Sequence, residues 1–221
     1  MDLIEKPATH YPTSGAKCAD LVVHIVGLAF ALFGGGVLLG LSVGFGSLGQ
    51  TAAIAVYAVG MMTMLGCSLA YNFGKWSWRP ILRRFDHAGI FLMIAGSYTP
   101  FTTQNLTGAW SIGMTVGVWT LAALGIAGKL FLPGLGRGFW VALYVLLGWI
   151  VLVAIKPMID GLSWVALLLL GIGGLVYSTG VIFYLMKKFH FRRAVWHGHV
   201  VAGAALQYAA VMVGVVFAGS H

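Results

Sequence analysis

From Leu162 to Met186 the chain runs without a single charged residue. It is one of seven long apolar runs, and that pattern constrains the fold more than any motif does. A helix needs roughly 20 apolar residues to cross the hydrocarbon core of a bilayer. A transmembrane barrel would show alternating apolar and polar residues, and these runs are continuous. Backbone groups in lipid must find their hydrogen bonds within the segment, so the expected class is all-α. Composition agrees: 60% of the residues are hydrophobic and 8% charged, against about 25% charged in soluble domains. The net charge of +8 does not point to nucleic acid, because the charges lie in short loops between the runs. Cys18 and Cys67 are too few for a disulfide framework.

The runs divide the chain into a short cytoplasmic tail, residues 1–19, and one seven-helix membrane domain, residues 20–221. The expected spans are Asp20 to Gly44, Thr51 to Phe73, the stretch from Arg83 to Phe101, Trp110 to Gly128, Phe139 to Ile155, Leu162 to Met186, and Val195 to Ala218. Thr99-Pro100 reads as the stop of the third span and Lys156-Pro157 as the stop of the fifth. Lys129, Pro133 and Arg137 fall in the loop after the fourth. Gly36, Gly40 and Gly44 recur at four-residue spacing, which suits close packing of the first helix inside the bundle.

With seven spans, all of the 13 lysines and arginines except Lys156 lie on the side of the N-terminus. Basic loops stay in the cytoplasm, so the N-terminus is expected inside and the C-terminus outside. Polar residues then gather at the cytoplasmic ends of four helices: Asp20 and His24, Ser68 and Asn72, Asp86 and His87, Arg193 and His197. Ser68 and Asn72 share a helix face, as do Arg193 and His197. His197 and His199 are two apart, so at most one points into the cluster. Asp86 reads either as a helix-start acid paired to Arg83 or Arg193 or as a functional group. His197 reads as a hydrogen-bonded packing residue or as a metal ligand, with His24 and His87 as its substitute partners. Ser68 and Asn72 read most simply as interhelical hydrogen-bonding groups. His10, His190 and His221 lie in loops or tails and suggest no role.

Several motifs together resemble the hemolysin III family, the bacterial branch of the progestin and adipoQ receptor superfamily. They are Asp86-His87 with the stretch from Ile94 to Phe101; Tyr144 with Gly148-Trp149; the stretch from Gly174 to Gly180 with Phe183-Tyr184; and Trp196-His197 with Val200 and Gly203-Ala204. The resemblance implies a bacterial cytoplasmic (inner) membrane protein. It also implies a zinc site at the cytoplasmic end, built from one histidine on the second helix and two on the seventh, with an aspartate opening the third helix that holds a zinc-bound water. This chain departs from that set. Ser68, Asp86 and His197 match, but Asn72 and Arg193 stand where two ligand histidines are expected. Zinc is therefore expected to bind weakly or not at all.

Three functions follow from the resemblance. One is a membrane protein with a degenerate metal site that senses or adjusts lipid state. The second is a zinc-dependent lipid amide or ester hydrolase, with Ser68 and Asp86 as catalytic residues. The third is a pore-forming cytolysin, which would need a polar path through outer helix halves that carry few polar residues. The expected partner is membrane lipid, with no nucleic acid. Topology is tested by reporter fusions at both ends: the N-terminal fusion should report cytoplasm and a fusion at His221 the outside. A cytoplasmic signal at His221 would overturn the seven-span count or its direction.

Overall fold

The computed structural model describes residues 10–132, 134–186 and 188–218. The first part of the expected tail, Pro133, Lys187 and His221 lie outside them. Every regular element among the described residues is helical: α1 (Ser14–Phe45), α2 (Leu48–Phe73), a short 3-10 turn (Trp76–Trp78), α3 (Arg79–Gln104), α4 (Gly108–Phe131), α5 (Arg137–Gly148), a 3-10 segment (Ile150–Ala154), α6 (Ile155–Gly161), α7 (Trp164–Leu185) and α8 (Arg192–Val211), which ends in a π turn (Met212–Val216).

Local chemistry sets the helix starts. The side chains of Thr13, Ser47 and Ser163 accept the N–H groups of Ala16, Gln50 and Ala166 at 3.1, 3.1 and 3.3 Å, capping α1, α2 and α7. Pro80 sits in the first turn of α3, where its missing N–H costs nothing. Gly108 opens α4 with φ of +56°, a conformation that suits glycine. The connections at these caps are short, so α1 to α4 pack each against the next. α7 packs along α8, and α8 closes the ring against α1, while α5 touches α3, α4 and α7.

Six stretches are long and apolar enough to cross a membrane: α1, α2, α4, the α5–α6 stretch Arg137–Gly161, α7, and α8 with its π turn. The outward faces agree, since Phe33, Leu48, Leu124, Leu146 and Ile182 are each more than half exposed. Exposed apolar surface on that scale requires lipid rather than water around it. This is a membrane protein. The buried core runs through Leu38, Ile54, Tyr57, Met61 and Phe91.

Four expectations are corrected. Thr99-Pro100 does not stop α3, which continues to Gln104 with Pro100 inside it. The Thr99 and Thr103 hydroxyls on either side of Pro100 donate to the carbonyls of Ala95 and Thr99 at 2.8 and 2.7 Å. Lys156-Pro157 does not close the fifth span either, because Pro157 falls in the first turn of α6, where proline is tolerated. The break comes earlier, after Gly148. There the Tyr98 hydroxyl donates to the Gly148 carbonyl at 2.7 Å and accepts the Val151 N–H at 3.0 Å. Lys129 lies in the last turn of α4 rather than in a loop, buried over the Trp140 ring at 4.2 Å. Finally, a Cβ on Gly36, Gly40 or Gly44 would meet nothing within 4 Å. These glycines face away from the bundle, because α1 turns another face, with Gly27, Ala31, Gly35 and Leu38, inward.

Close helix contact is made instead between α2 and α3. A Cβ on Gly89 would meet the Met64 Cα at 3.1 Å, and one on Gly96 would meet the Val56 carbonyl at 3.3 Å. Gly89→Leu should therefore lower the melting temperature in detergent, with an overpacking cost of about 1–3 kcal/mol. Gly40→Leu should leave it unchanged. Equal effects at both positions would contradict this packing.

Candidate functional site

The polar side chains expected at one end of the bundle do meet there. α1 supplies Asp20 and His24, one turn apart. α2 supplies Ser68 and Asn72, also one turn apart, and α8 supplies Arg193 and His197 in the same way. Asp20 is fully buried, and His24 and Asn72 nearly so.

The centre is a chain of directed hydrogen bonds. His197 Nδ1 donates to Asp20 Oδ1 at 2.6 Å. The other carboxylate oxygen, Oδ2, accepts the Tyr11 hydroxyl. His24 Nδ1 donates to the Asp20 carbonyl at 2.7 Å. With both Nδ1 atoms committed as donors, both Nε2 atoms are free to accept. They converge on Ser68 Oγ, at 3.2 Å from His24 and 3.5 Å from His197. The tautomers follow from this network rather than from observed protons.

A second layer covers the first. Asn72 Nδ2 donates to the Ser68 carbonyl at 2.9 Å and approaches Ser68 Oγ at 3.5 Å. Its Oδ1 accepts from Arg193 Nη1 at 3.3 Å and from His10 Nε2 at 2.9 Å. Arg193 Nη2 also donates to His10 Nδ1 at 3.3 Å. His10 thus accepts on one nitrogen and donates on the other, which requires the neutral ring. Burial and the Arg193 charge lower its pKa from 6.5 to about 4. Burial, with the carboxylate of Asp20 beside it, pushes the Tyr11 hydroxyl well above its ordinary value. The segment before α1 is therefore latched across the site.

Of the expected residues, Asp86 joins this centre, its carboxyl group hydrogen-bonded with the Ser68 hydroxyl, and His87 stands apart from it. Asp86 lines the same cavity, and its ion-pair contact among the described residues is with His87, at 3.9 Å. Arg193 is spent on Asn72 and His10 instead of pairing with Asp86. His87 turns to Lys129, whose Nζ donates to its Nδ1 at 3.1 Å, so it does not join His24 and His197. His199 bonds the Val195 carbonyl at 2.7 Å, outside the cluster. His10 and Tyr11 precede the first apolar run and carry no periodic signal that would mark them in the sequence. The central place of Asp20 is signalled there only by its i, i+4 spacing from His24.

Beside Ser68 opens a cavity of about 250 Å³. Met64, Leu65, Ile90, Val200 and Val201 line it with apolar surface, and Arg83, Lys129, Arg137, Arg192 and Arg193 add positive charge. At the opposite end of the bundle an exposed Lys156–Asp160 pair lies on α6, and the polar groups that join the helices are neutral. There Thr115 donates to Thr102 at 2.8 Å, Trp119 to Thr99 at 3.0 Å, and Asn105 to the Gly214 carbonyl at 2.9 Å.

One donor atom from each of Asp20, His24 and His197 lies within 4.8 Å of the others, so these three could hold a metal ion. The positions expected for the zinc histidines do not fit one. Arg193, itself a cation, is hydrogen-bonded to Asn72 at that place.

Comparison with known proteins adds a lineage to this geometry. The family model described as haemolysin-III related matches residues 18–208. A hemolysin-3 homolog of Bacillus subtilis (strain 168) is 31% identical over 197 residues, 89% of this chain and 92% of the relative. Hemolysin-3 of Bacillus cereus is likewise 31% identical, over 89% of this chain and 90% of the relative. The human monocyte to macrophage differentiation factor is 25% identical over 166 residues, 71% of this chain and 67% of the relative.

The latch has a pH dependence of fixed sign. Folding lowers the pKa of His10, so its contribution is complete above about pH 6.5 and is lost as pH falls through about 4. The melting temperature in detergent should drop across that window, and less steeply in His10→Gln, which keeps a donor to Asn72 without a titrating ring. Parallel curves for the two proteins would rule the latch out.

Proposed function

The chain belongs to the haemolysin-III-related family, and from that premise we propose that it is a seven-span protein of the bacterial cytoplasmic membrane that binds anionic lipid and senses or adjusts lipid state. The seventh span in this reading is α3. Its first turns carry Arg79, Arg83, Arg84 and Asp86, which lowers its mean hydropathy. Yet it runs 26 residues between α2 and α4, as long as α2 itself. The N-terminus is inside in this reading and the C-terminus outside, because the basic residues collect at the end where α1, α3 and α8 begin.

The observation that carries the reading is the cavity. Its apolar wall suits an acyl chain, and five basic side chains against one acid, Asp86, suit a negatively charged headgroup. The neutral hydroxyl network at the other end counts against a pore, since its groups are bonded to one another and to backbone. The positions where the family resemblance implies zinc ligands are filled by Asn72 and Arg193, which favours lipid binding over zinc chemistry there.

The reading is tested by adding lipid to the purified protein in detergent. Phosphatidylglycerol should raise the melting temperature, and phosphatidylcholine should not. Arg137→Ala should weaken the effect about 10-fold in lipid concentration, the loss expected for one charged hydrogen bond of about 1.5 kcal/mol. Equal shifts with both lipids would remove the headgroup argument.

A further inference from the structure

We propose that Ser68, His197 and Asp20 form a metal-free nucleophile–base–acid triad that cleaves acyl esters or amides delivered into the cavity. Ser68 Oγ lies 3.5 Å from His197 Nε2, and His197 Nδ1 lies 2.6 Å from Asp20 Oδ1. The first distance is long for a hydrogen bond at rest, as is usual before substrate draws the pair together. The second is short, and the Asp20 carboxylate is fully buried. A triad is recognised by such roles and geometry rather than by order in the chain.

Ser68 has one proton, and two imidazoles and the Asp86 carboxyl group face it. Between the imidazoles, the assignment to His197 follows from the Asp20 carboxylate. His197 Nδ1 is bonded to Asp20 Oδ1, whereas His24 Nδ1 is bonded only to the Asp20 carbonyl, with Oδ1 3.8 Å away. The imidazolium that forms on taking a proton is therefore paired at His197. His24 holds the serine oxygen from the other side. The Tyr11 hydroxyl, bonded to Oδ2, keeps the carboxylate from rotating.

Donors for a developing oxyanion are also present. Asn72 Oδ1 receives both Arg193 and His10, so the amide cannot flip; Nδ2 gives one hydrogen to the Ser68 carbonyl and lies 3.5 Å from Ser68 Oγ, with a second hydrogen to offer. Arg193, bonded to Asn72 and His10, adds its positive charge beside it on the cavity wall. An amide N–H and a neighbouring cation are suitable stabilisers for negative charge on a carbonyl oxygen.

The step balances without a cofactor. Ser68 Oγ bonds the carbonyl carbon as His197 Nε2 takes its proton. The carbon–oxygen or carbon–nitrogen bond to the leaving group breaks as His197 returns that proton to the alcohol or amine. Water then attacks the acyl-serine, giving its proton to His197, and the acid leaves as Ser68 regains a proton. The apolar wall holds the acyl chain and the basic residues hold an anionic leaving group. The substrate class rests on the lipid reading above; the triad itself does not.

The test uses the full-length protein in detergent, an alkyl fluorophosphonate probe and p-nitrophenyl decanoate. The probe should phosphonylate Ser68, with loss of fluoride, and mass spectrometry should place the adduct there. Ester turnover should be stopped by the probe and unaffected by EDTA. His197→Gln should slow labelling at least about 100-fold. Asp20→Asn should slow it too, with partial rescue in Asp20→Glu, which a purely structural role would not give. Melting temperatures report folding of each variant, and the adduct on the native chain decides the matter if a variant fails to fold.

No adduct on Ser68 in the folded native protein overturns the triad, as does labelling that His197→Gln leaves unchanged. Turnover abolished by EDTA and restored by zinc overturns it in favour of a metal on Asp20, His24 and His197. Phosphatidylglycerol binding without an adduct ends the triad and leaves the lipid reading standing. An adduct without lipid selectivity keeps the triad and removes the lipid substrate.

Discussion

The Asp20 carboxylate is the constraint on which this end of the molecule depends. A carboxylate removed from water is costly unless both oxygens are hydrogen-bonded. Here one oxygen takes His197 from α8 and the other takes Tyr11 from the segment before α1. Those two bonds close the helix ring between its first and last members and bring the tail over the site. Once the tail is docked, His10 reaches Asn72 and Arg193, and the orientation of the Asn72 amide is decided. Ser68 then lies among groups whose directions are all set by something else. A long line of geometry thus descends from one buried acid.

Much of the architecture was legible from apolar periodicity alone. Six of the helices follow directly from it, and the meeting of Ser68, Asn72, Arg193 and His197 follows from four-residue spacings at matching helix ends. What escaped is instructive in physical terms. Pro100 and Pro157 look like stops because proline lacks an N–H, but α3 continues through the one and the other falls in the first turn of α6. Gly36, Gly40 and Gly44 have the spacing of a packing face, but spacing does not say which face turns inward, and the real contact uses Gly89 and Gly96. Lys129 looked like a loop charge, although a tryptophan ring and a histidine make its burial tolerable. His10 and Tyr11 lie before the first apolar run, in a segment with no period to read, and only the folded chain brings them to Asp20.

The two ends of the bundle use polar groups differently. At one end they are ionisable, buried and aimed at a cavity. At the other they are hydroxyls and amides that join α3 to α4 and to the ends of α6 and α8. Hydroxyls paired to neighbouring carbonyls hold helices together without placing charge in lipid. The asymmetry separates an end held by neutral hydrogen bonds from an end with buried ionisable groups, and most of the basic residues lie at the latter.

The interruption after Gly148 has a mechanical consequence. A continuous helix is a stiff rod that carries a push from one membrane face to the other. Here the α-helical ladder gives way to a 3-10 segment, and a single phenol from α3 bridges the carbonyl of Gly148 and the N–H of Val151. α5, which brings Arg137, Trp140 and Tyr144 to the cavity, is thereby jointed to α6 rather than fused to it. The lateral position of α5, and with it one wall of the cavity, is thus set by α3 through Tyr98 rather than by helical continuity with α6.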